Sequence, residues 1–418
     1  MSAADTHRVI EAIWRIEGAK LIAVLTRVTR DVSLAEDLAQ EALAAAMEKW
    51  PESGVPDKPG AWLVAAAKNR AIDHFRRSRR IADKHQELGR KREAEAGAMP
   101  DFESSLDDPI GDDLLRLMFI ACHPVLPAEA RAALTLRLLG GLTTQEIARA
   151  FLTPEPTIAQ RIVRAKRTLA EKRVPFELPG RAELSDRLGS VLEVLYLIFN
   201  EGYSATAGDD WTRPALCEDA MRLGRTLAEL APAEPEVHGL VALMELQASR
   251  LRARVGPNGE PILLLDQNRA LWDRVLIGRG LAALQRGEGL TDRPGSYLLQ
   301  AGIAACHARA AEAQGTDWER IAELYGHLSR VAGSPVVELN RAVAISMARG
   351  PDAGLEIVDR LASEPSLGSY HLLPAVRGDL LKKIGRMAEA RQQFEHAASL
   401  TRNARERELL LARAQECG

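Results

Sequence analysis

TTQEIARAFLTPEPTIAQRIVRAKRTL, residues 143–169, reads as two short helices joined by a tight turn. Thr143 and Glu146 have the S/T-x-x-E spacing of a capping box, whose side chains satisfy amides left open at a helix start. Ile147 and Phe151 recur four residues apart and share a face. Thr153 is placed to cap the second helix, and Pro154 fits its first turn, where no amide proton is needed. In that second helix Ile158, Ile162, Ala165 and Leu169 follow the i, i+4, i+7, i+11 pattern of a buried stripe. Thr157, Gln160, Arg161, Arg164 and Arg167 fall on the other side, and Lys166 adds to the charge. Such a helix fits the major groove of DNA. Arg and Gln pair with guanine and adenine edges, and further cations hold phosphates. A charged face turned to water has the same pattern, so the stretch reads as a helix-turn-helix whose partner it leaves open.

The rest of the chain sets a contrast. Its 418 residues carry a net charge of −3, which argues against a general nucleic-acid coat and confines any DNA contact to local patches. Hydrophobic residues make up 46% and aromatics only 4%, with much Ala, Leu and Arg, a mixture that favours helices. The four cysteines (Cys122, Cys217, Cys306 and Cys417) are scattered and form no CxxC pair. Neither a disulfide framework nor a zinc site is indicated, and a reducing compartment fits. Cys122–His123 and Cys306–His307 lack further ligands at metal spacing. No apolar run reaches membrane-span length, and no signal-peptide core is evident. A soluble, cytoplasmic protein without a cofactor is expected.

Two further stretches carry charge in an ordered way. Ser33 to Glu36 has capping-box spacing and opens SLAEDLAQEALAAAMEKW, where Leu34, Leu38 and Ala42 face inward. Asp37, Glu41 and Glu48 share the outer side, with Gln40 beside them. This acidic stripe suits a basic partner surface, or simply water. In KPGAWLVAAAKNRAIDHFRRSRR, Leu63, Ala67, Ala71 and Phe75 form an apolar stripe, while Asn69, Asp73, Arg76 and Arg80 form a polar one. Basic residues collect toward the helix C-terminus, where the macrodipole favours cations. Trp62, just after a Pro/Gly loop, is placed either to stack on an unpaired base or to fill a core.

The order of these stretches carries a resemblance. DLAQEAL, then AWLVAAAKNRAIDHFRRSRR, then a charged linker, then LTTQEIARAFLTPEPTIAQRIVRAKRTL, resembles the sigma-70 family and, within it, the extracytoplasmic-function (ECF) sigma factors of bacterial RNA polymerase. It covers roughly residues 8–173. The resemblance implies that Asp37, Gln40 and Glu41 contact the clamp helices of the largest polymerase subunit. It places Trp62, Asn69, Arg70, Asp73, His74, Arg76 and Arg77 on the −10 promoter element. It places Thr157, Gln160, Arg161, Arg164, Lys166 and Arg167 on the −35 element. The chain departs from the family in one turn: Phe151 and Leu152 stand where a glycine is common.

The expected organisation is all-α. Residues 1–80 form a region 2 domain, 81–109 a linker, 110–178 a region 4 helix-turn-helix domain, and 179–418 a helical tetratricopeptide-like domain. Gly315, Gly350 and Gly385 are spaced 35 residues apart, each between two helical patterns, as in helical-hairpin repeats. Each glycine suits a left-handed turn that ends a helix. Residues 181–290 show no clear period. DDLLRLMFIACHP with LIFNEGYSAT resembles the ECF group with a long C-terminal extension, which implies that the extension modulates sigma activity. A peptide or protein partner suits such repeats. In LIFNEGYSAT no nucleophile–base pair surrounds Asn200, Glu201 and Tyr203, so the polar groups are expected to pin a helix end, and no catalysis is expected. A competing reading is a one-component regulator, with the 143–169 reader joined to a helical-repeat sensor.

Overall fold

The computed structural model describes residues 3–87, 110–151, 153–205, 211–257 and 259–418. Among them the fold is all-α, with one isolated β-bridge between Val255 and Pro261. The chain divides into two compact units, residues 1–194 and 195–418.

The first unit begins with α1 (Ala3–Thr29), α2 (Val32–Ser53) and α3 (Pro59–Glu87). Alternating small and large residues let them pack closely: Ala35, Leu38, Ala39, Ala42 and Trp50 of α2 are buried, as are Leu63, Ala67 and Ala71 of α3. Asp31, rather than Ser33, caps α2, accepting from the backbone amides of Ser33 and Leu34. Glu36 is thereby freed from the expected capping box. α3 continues to Glu87, through the first residues assigned to the linker. The remaining linker residues, 88–109, lie outside the described residues, as does Leu152.

The unit continues with α4 (Ile110–Ala121), α5 (Ala128–Leu138), α6 (Thr144–Ala150) and α7 (Glu155–Glu171). α8 (Arg181–Tyr203) crosses the division between units. Its first half is tied to α4 and α5. Arg131 donates to the Ser190 hydroxyl, which donates to the Cys122 carbonyl, while Arg187 donates to the Phe119 carbonyl.

The second unit contains α9 (Pro214–Leu230), α10 (Pro235–Ala248), α11 (Arg274–Glu288), α12 (Ser296–Arg309) and α13 (Trp318–Ala332), followed by α14 (Pro335–Arg349), α15 (Pro351–Leu361), α16 (Leu372–Lys383), α17 (Met387–Leu400) and α18 (Ala404–Gln415). From α12 onward each helix packs on the next in sequence, the nearest-neighbour stacking of a repeat array. Gly350 and Gly385 have positive φ (100° and 82°), at the turns between α14 and α15 and between α16 and α17. Gly315 does not: a short 3₁₀ turn over Ala313–Gly315 makes that connection, so a left-handed residue is not required.

One close approach gives a direct test of packing. A Cβ on Gly239 of α10 would lie 2.6 Å from the Leu298 amide nitrogen of α12. Backbone atoms cannot yield as a flexible side chain can. Gly239→Ala is expected to destabilise the second unit by about 1–3 kcal/mol, read by urea unfolding.

Candidate nucleic-acid interface

The α6–α7 hairpin is built largely as its sequence dictates. Thr143 Oγ1 accepts from the Glu146 amide at 3.1 Å, and Glu146 accepts in return from the Thr143 amide at 2.7 Å. After α6 the Thr153 amide donates back to the Ala148 carbonyl at 3.0 Å, closing the turn. The Thr153 hydroxyl donates to the Phe151 carbonyl instead of capping α7. Pro154 occupies the cap position, and no side chain caps the helix.

Ile158, Ile162, Ala165 and Leu169 of α7 are buried. Thr157, Gln160, Arg164 and Arg167 are exposed. Arg161 is half-buried and pairs with Glu129 of α5 at 2.7 Å, while Arg167 pairs with Glu171 at 2.7 Å. Lys166 departs from expectation. Its side chain is turned inward, only 14% exposed, and its ammonium pairs with Glu36 of α2. In this arrangement it cannot also hold a phosphate.

On α3, Asn69, Asp73, His74, Arg76 and Arg77 are exposed. Trp62 is half-buried and sits edge-on to the fully buried Trp50, with ring centroids 5.3 Å apart. It is therefore part of the packing while still reaching the surface. The Arg80 side chain lies outside the described residues. On α2, Asp37, Glu41 and Glu48 are exposed and Gln40 is half-buried, so the acidic stripe forms. Glu41 pairs with Arg70 of α3 at 2.9 Å, joining the acidic and basic faces. This pair is solvent-exposed and contributes little to stability.

The arrangement also links stretches far apart in sequence. Glu36, buried against α2's neighbours, accepts from Arg137 of α5 at 2.6 Å as well as pairing with Lys166. Burial alone would raise the Glu36 carboxyl, but the charges and hydrogen bonds of Lys166 and Arg137 bring it below its ordinary value. Asp113 of α4 is 1% exposed and bridges Arg27 of α1 at 3.2 Å and Arg116 at 2.8 Å. Arg15 of α1 reaches Glu146 at 3.4 Å. These bonds hold α1 and α2 against α4–α7. None was singled out in the sequence, because each joins residues that lie between 86 and 131 positions apart, save Arg116 with Asp113. One signal was present: Lys166 is four residues from Ile162 and three from Leu169, at the edge of the buried stripe.

Of the LIFNEGY polar side chains, Glu201 ties the end of α8 to the start of α9. Glu201 pairs with Arg213, and the Gly202 carbonyl accepts from the Arg213 amide at 2.6 Å. Cys122 is buried beside Thr135, and burial pushes its thiol up to about 11. Among the described residues no group of three or more His, Cys, Asp or Glu could hold a metal ion. No helix among them is long and apolar enough to cross a membrane.

Comparison with known proteins fits this geometry. Residues 14–81 match sigma-70 region 2, and residues 116–169 match sigma-70 region 4. The chain belongs to the sigma-70 family. Region 2 of this sigma factor takes in α2 and most of α3; region 4 takes in α5, α6 and nearly all of α7. Residues 187–288 match a family of unknown function, DUF6596. An uncharacterized protein of Rhizobium meliloti is 44% identical over 391 residues, covering 92% of this chain and 90% of that protein. The ECF RNA polymerase sigma factor SigL of Mycobacterium tuberculosis is 29% identical over 171 residues, covering 40% of this chain and 90% of SigL. A protein named as a probable ECF RNA polymerase sigma factor, SigI, from the same species is 28% identical over 171 residues, 40% of this chain and 57% of its own length. The similarity to these ECF factors thus spans less than half of this sigma factor.

Proposed function

We propose that this sigma factor docks on core RNA polymerase through Asp37, Gln40 and Glu41, engages the −10 element through Trp62 and the exposed side of α3, and engages the −35 element through α7. The supporting observation is that the two matched regions occur in order, and each presents an exposed charged face. On α3 the face is Asn69, Asp73, His74, Arg76 and Arg77, with Arg70 at its edge. On α7 it is Thr157, Gln160, Arg164 and Arg167, with Arg161 available by exchange from Glu129. Lys166 joins the set only when released from Glu36. Nucleotide addition belongs to the core enzyme, and no covalent chemistry is assigned to this chain. The slight overall acidity is consistent with a subunit that acts through a partner and does not hold DNA strongly alone.

Transcription in vitro with core polymerase and a genomic fragment library tests this reading. Mapped starts should share −10 and −35 elements. Arg164→Ala is expected to lower initiation from them by about tenfold, the loss of 1–3 kcal/mol typical of a base or strong phosphate contact. Absence of any start dependent on this chain would refute the assignment. The second unit is assigned a modulating role, tested by truncating the chain after Tyr203 and measuring promoter output in cells.

A further inference from the structure

Many cations packed within the second unit have carboxylate partners. Arg225 and Arg279 meet Glu245, Arg213 meets Glu201, Arg341 meets Glu338, and Arg413 meets Asp379. One cluster breaks this pattern. Burial, and then the nearby Arg250, disfavour the charge of Arg254, just after α10, and of Arg269, and none of the three has a carboxylate partner among the described residues.

Their surroundings are aromatic. Arg254 sits 3.7 Å from the Tyr203 ring centroid and 5.5 Å from that of Trp211. Arg250 lies 5.8 Å from Tyr203 and 5.7 Å from Trp272, and Arg269 lies 4.8 Å from Trp272. The three differ in how far their hydrogen bonds are used. Arg269 donates to the His307 and Ala310 carbonyls and to the Thr316 hydroxyl, so it is a structural clamp. Arg254 donates to the Tyr203 carbonyl. The Arg250 side chain makes no hydrogen bond or ion pair with the described residues, and it is half-buried, hence reachable from solvent.

Unused buried polar atoms gather in the same place. Trp272 and Arg269 are 3% and 7% exposed, yet the indole nitrogen of one and the Nε of the other have no partner. The Arg254 Nε is also unpaired. All three are donors. His307, edge-on to Trp318 at 5.2 Å, is pushed down to about 3 by burial and then by Arg250 and Arg269. A further cation is thus disfavoured here, as it would be in a field that lacks its anion.

Magnitudes separate two explanations. The carbonyl end of α10 supplies only about half a negative charge. Stacking on rings contributes about 0.5–2 kcal/mol per cation but does not neutralise it. Three guanidinium groups therefore retain a surplus that an oxygen anion would offset. We propose that Arg250 and Arg254, walled by Tyr203 and Trp272, form a binding site for a carboxylate or phosphate anion in the second unit. Guanidinium groups suit both anions, since their parallel N–H donors match paired oxygens.

Calorimetric titration of the full chain at constant ionic strength tests this. Inorganic phosphate is the first probe, and an acetylated Asp-Glu dipeptide amide is the second; the tighter of the two identifies the source of the oxygens. Saturable binding to a single site is expected. Arg250→Ala should weaken it at least tenfold. Arg250→Lys, which keeps the charge and loses the paired donors, should fold and still weaken it severalfold. Arg252→Ala removes an exposed neighbouring cation and should leave affinity unchanged. Equal losses in the Arg250 and Arg252 variants would reduce the effect to general electrostatics and overturn the site. So would binding that Arg250→Ala does not alter, or no binding of either probe at 50 mM phosphate or dipeptide (roughly the upper limit of a useful affinity). Asp209 and Asp210 lie nearby in sequence but outside the described residues. Binding that emerges only in the Asp209→Asn, Asp210→Asn double variant would show that the chain supplies its own anion, and would overturn an external ligand.

Discussion

Asp37→Lys is expected to weaken binding to core RNA polymerase by roughly a hundredfold, about 2.7 kcal/mol, without lowering the folding temperature. Asp37 is exposed in the second turn of α2, on the side opposite the buried Ala35, Leu38 and Ala39. Charge reversal there leaves the core of region 2 intact and places like charges together at a basic docking surface. Glu41→Lys should weaken binding too, but its effect is mixed. That substitution also sets a lysine against Arg70, now paired with Glu41, and so disturbs α3. The double variant should bind no core at micromolar concentrations in a fluorescence-anisotropy titration. Unchanged affinity in Asp37→Lys would favour a helix-turn-helix regulator that works without this face.

The difference between Asp37 and its neighbour Glu36 shows what the sequence could tell. Both belong to an acidic run, and a helical wheel separates them by about 100°. Local periodicity was enough to place Asp37 outward, as it was to bury Ile158, Ile162 and Leu169 and to expose Arg164. The all-α fold and both charged faces were legible for that reason: they depend on neighbours within two turns. Glu36 looked like the end of a capping box because Ser33 stood three residues before it. Asp31 is the better cap, since its carboxylate reaches two amides at once. The true partners of Glu36 lie in α5 and α7, more than one hundred residues away, and no local pattern names them. The Arg250–Arg254 cluster was hidden similarly, because its aromatic walls come from before α9 and after α10. In the turn after α6, where a glycine is common in the family, the chain closes with the Thr153 amide on the Ala148 carbonyl, a detail that depends on backbone geometry.

Glu36→Ala is the substitution with the largest structural consequence. It removes a buried carboxylate and leaves Arg137 and Lys166 facing each other, 21% and 14% exposed. Breaking a buried ion pair in this way costs about 3–5 kcal/mol. The cations can be rehydrated if α5 and α7 move away from α2, so partial separation of regions 2 and 4 is expected before unfolding of either. Lys166 reports it directly. Labelling with an amine-reactive reagent, followed by mass spectrometry, should show Lys166 protected in the wild type and at least several times more reactive in Glu36→Ala. Low pH should mimic the substitution. The Glu36 carboxyl is held below its ordinary value in the fold, so its stabilisation is present above the unfolded value of about 4.3 and is lost as pH falls through the lower folded value. Wild-type regions 2 and 4 should therefore stay together at pH 6 and separate only as pH falls through that lowered value, read by hydrogen exchange of α2 and α7. Release has a counterpart on DNA. With Lys166 free to meet a phosphate, the salt dependence of −35 binding by Glu36→Ala should steepen by about one unit of log–log slope. A steeper slope without new Lys166 reactivity would trace the effect to the lost negative charge of Glu36 alone. Both changes together identify Glu36 as the residue that decides whether α7 grips with four cations or three.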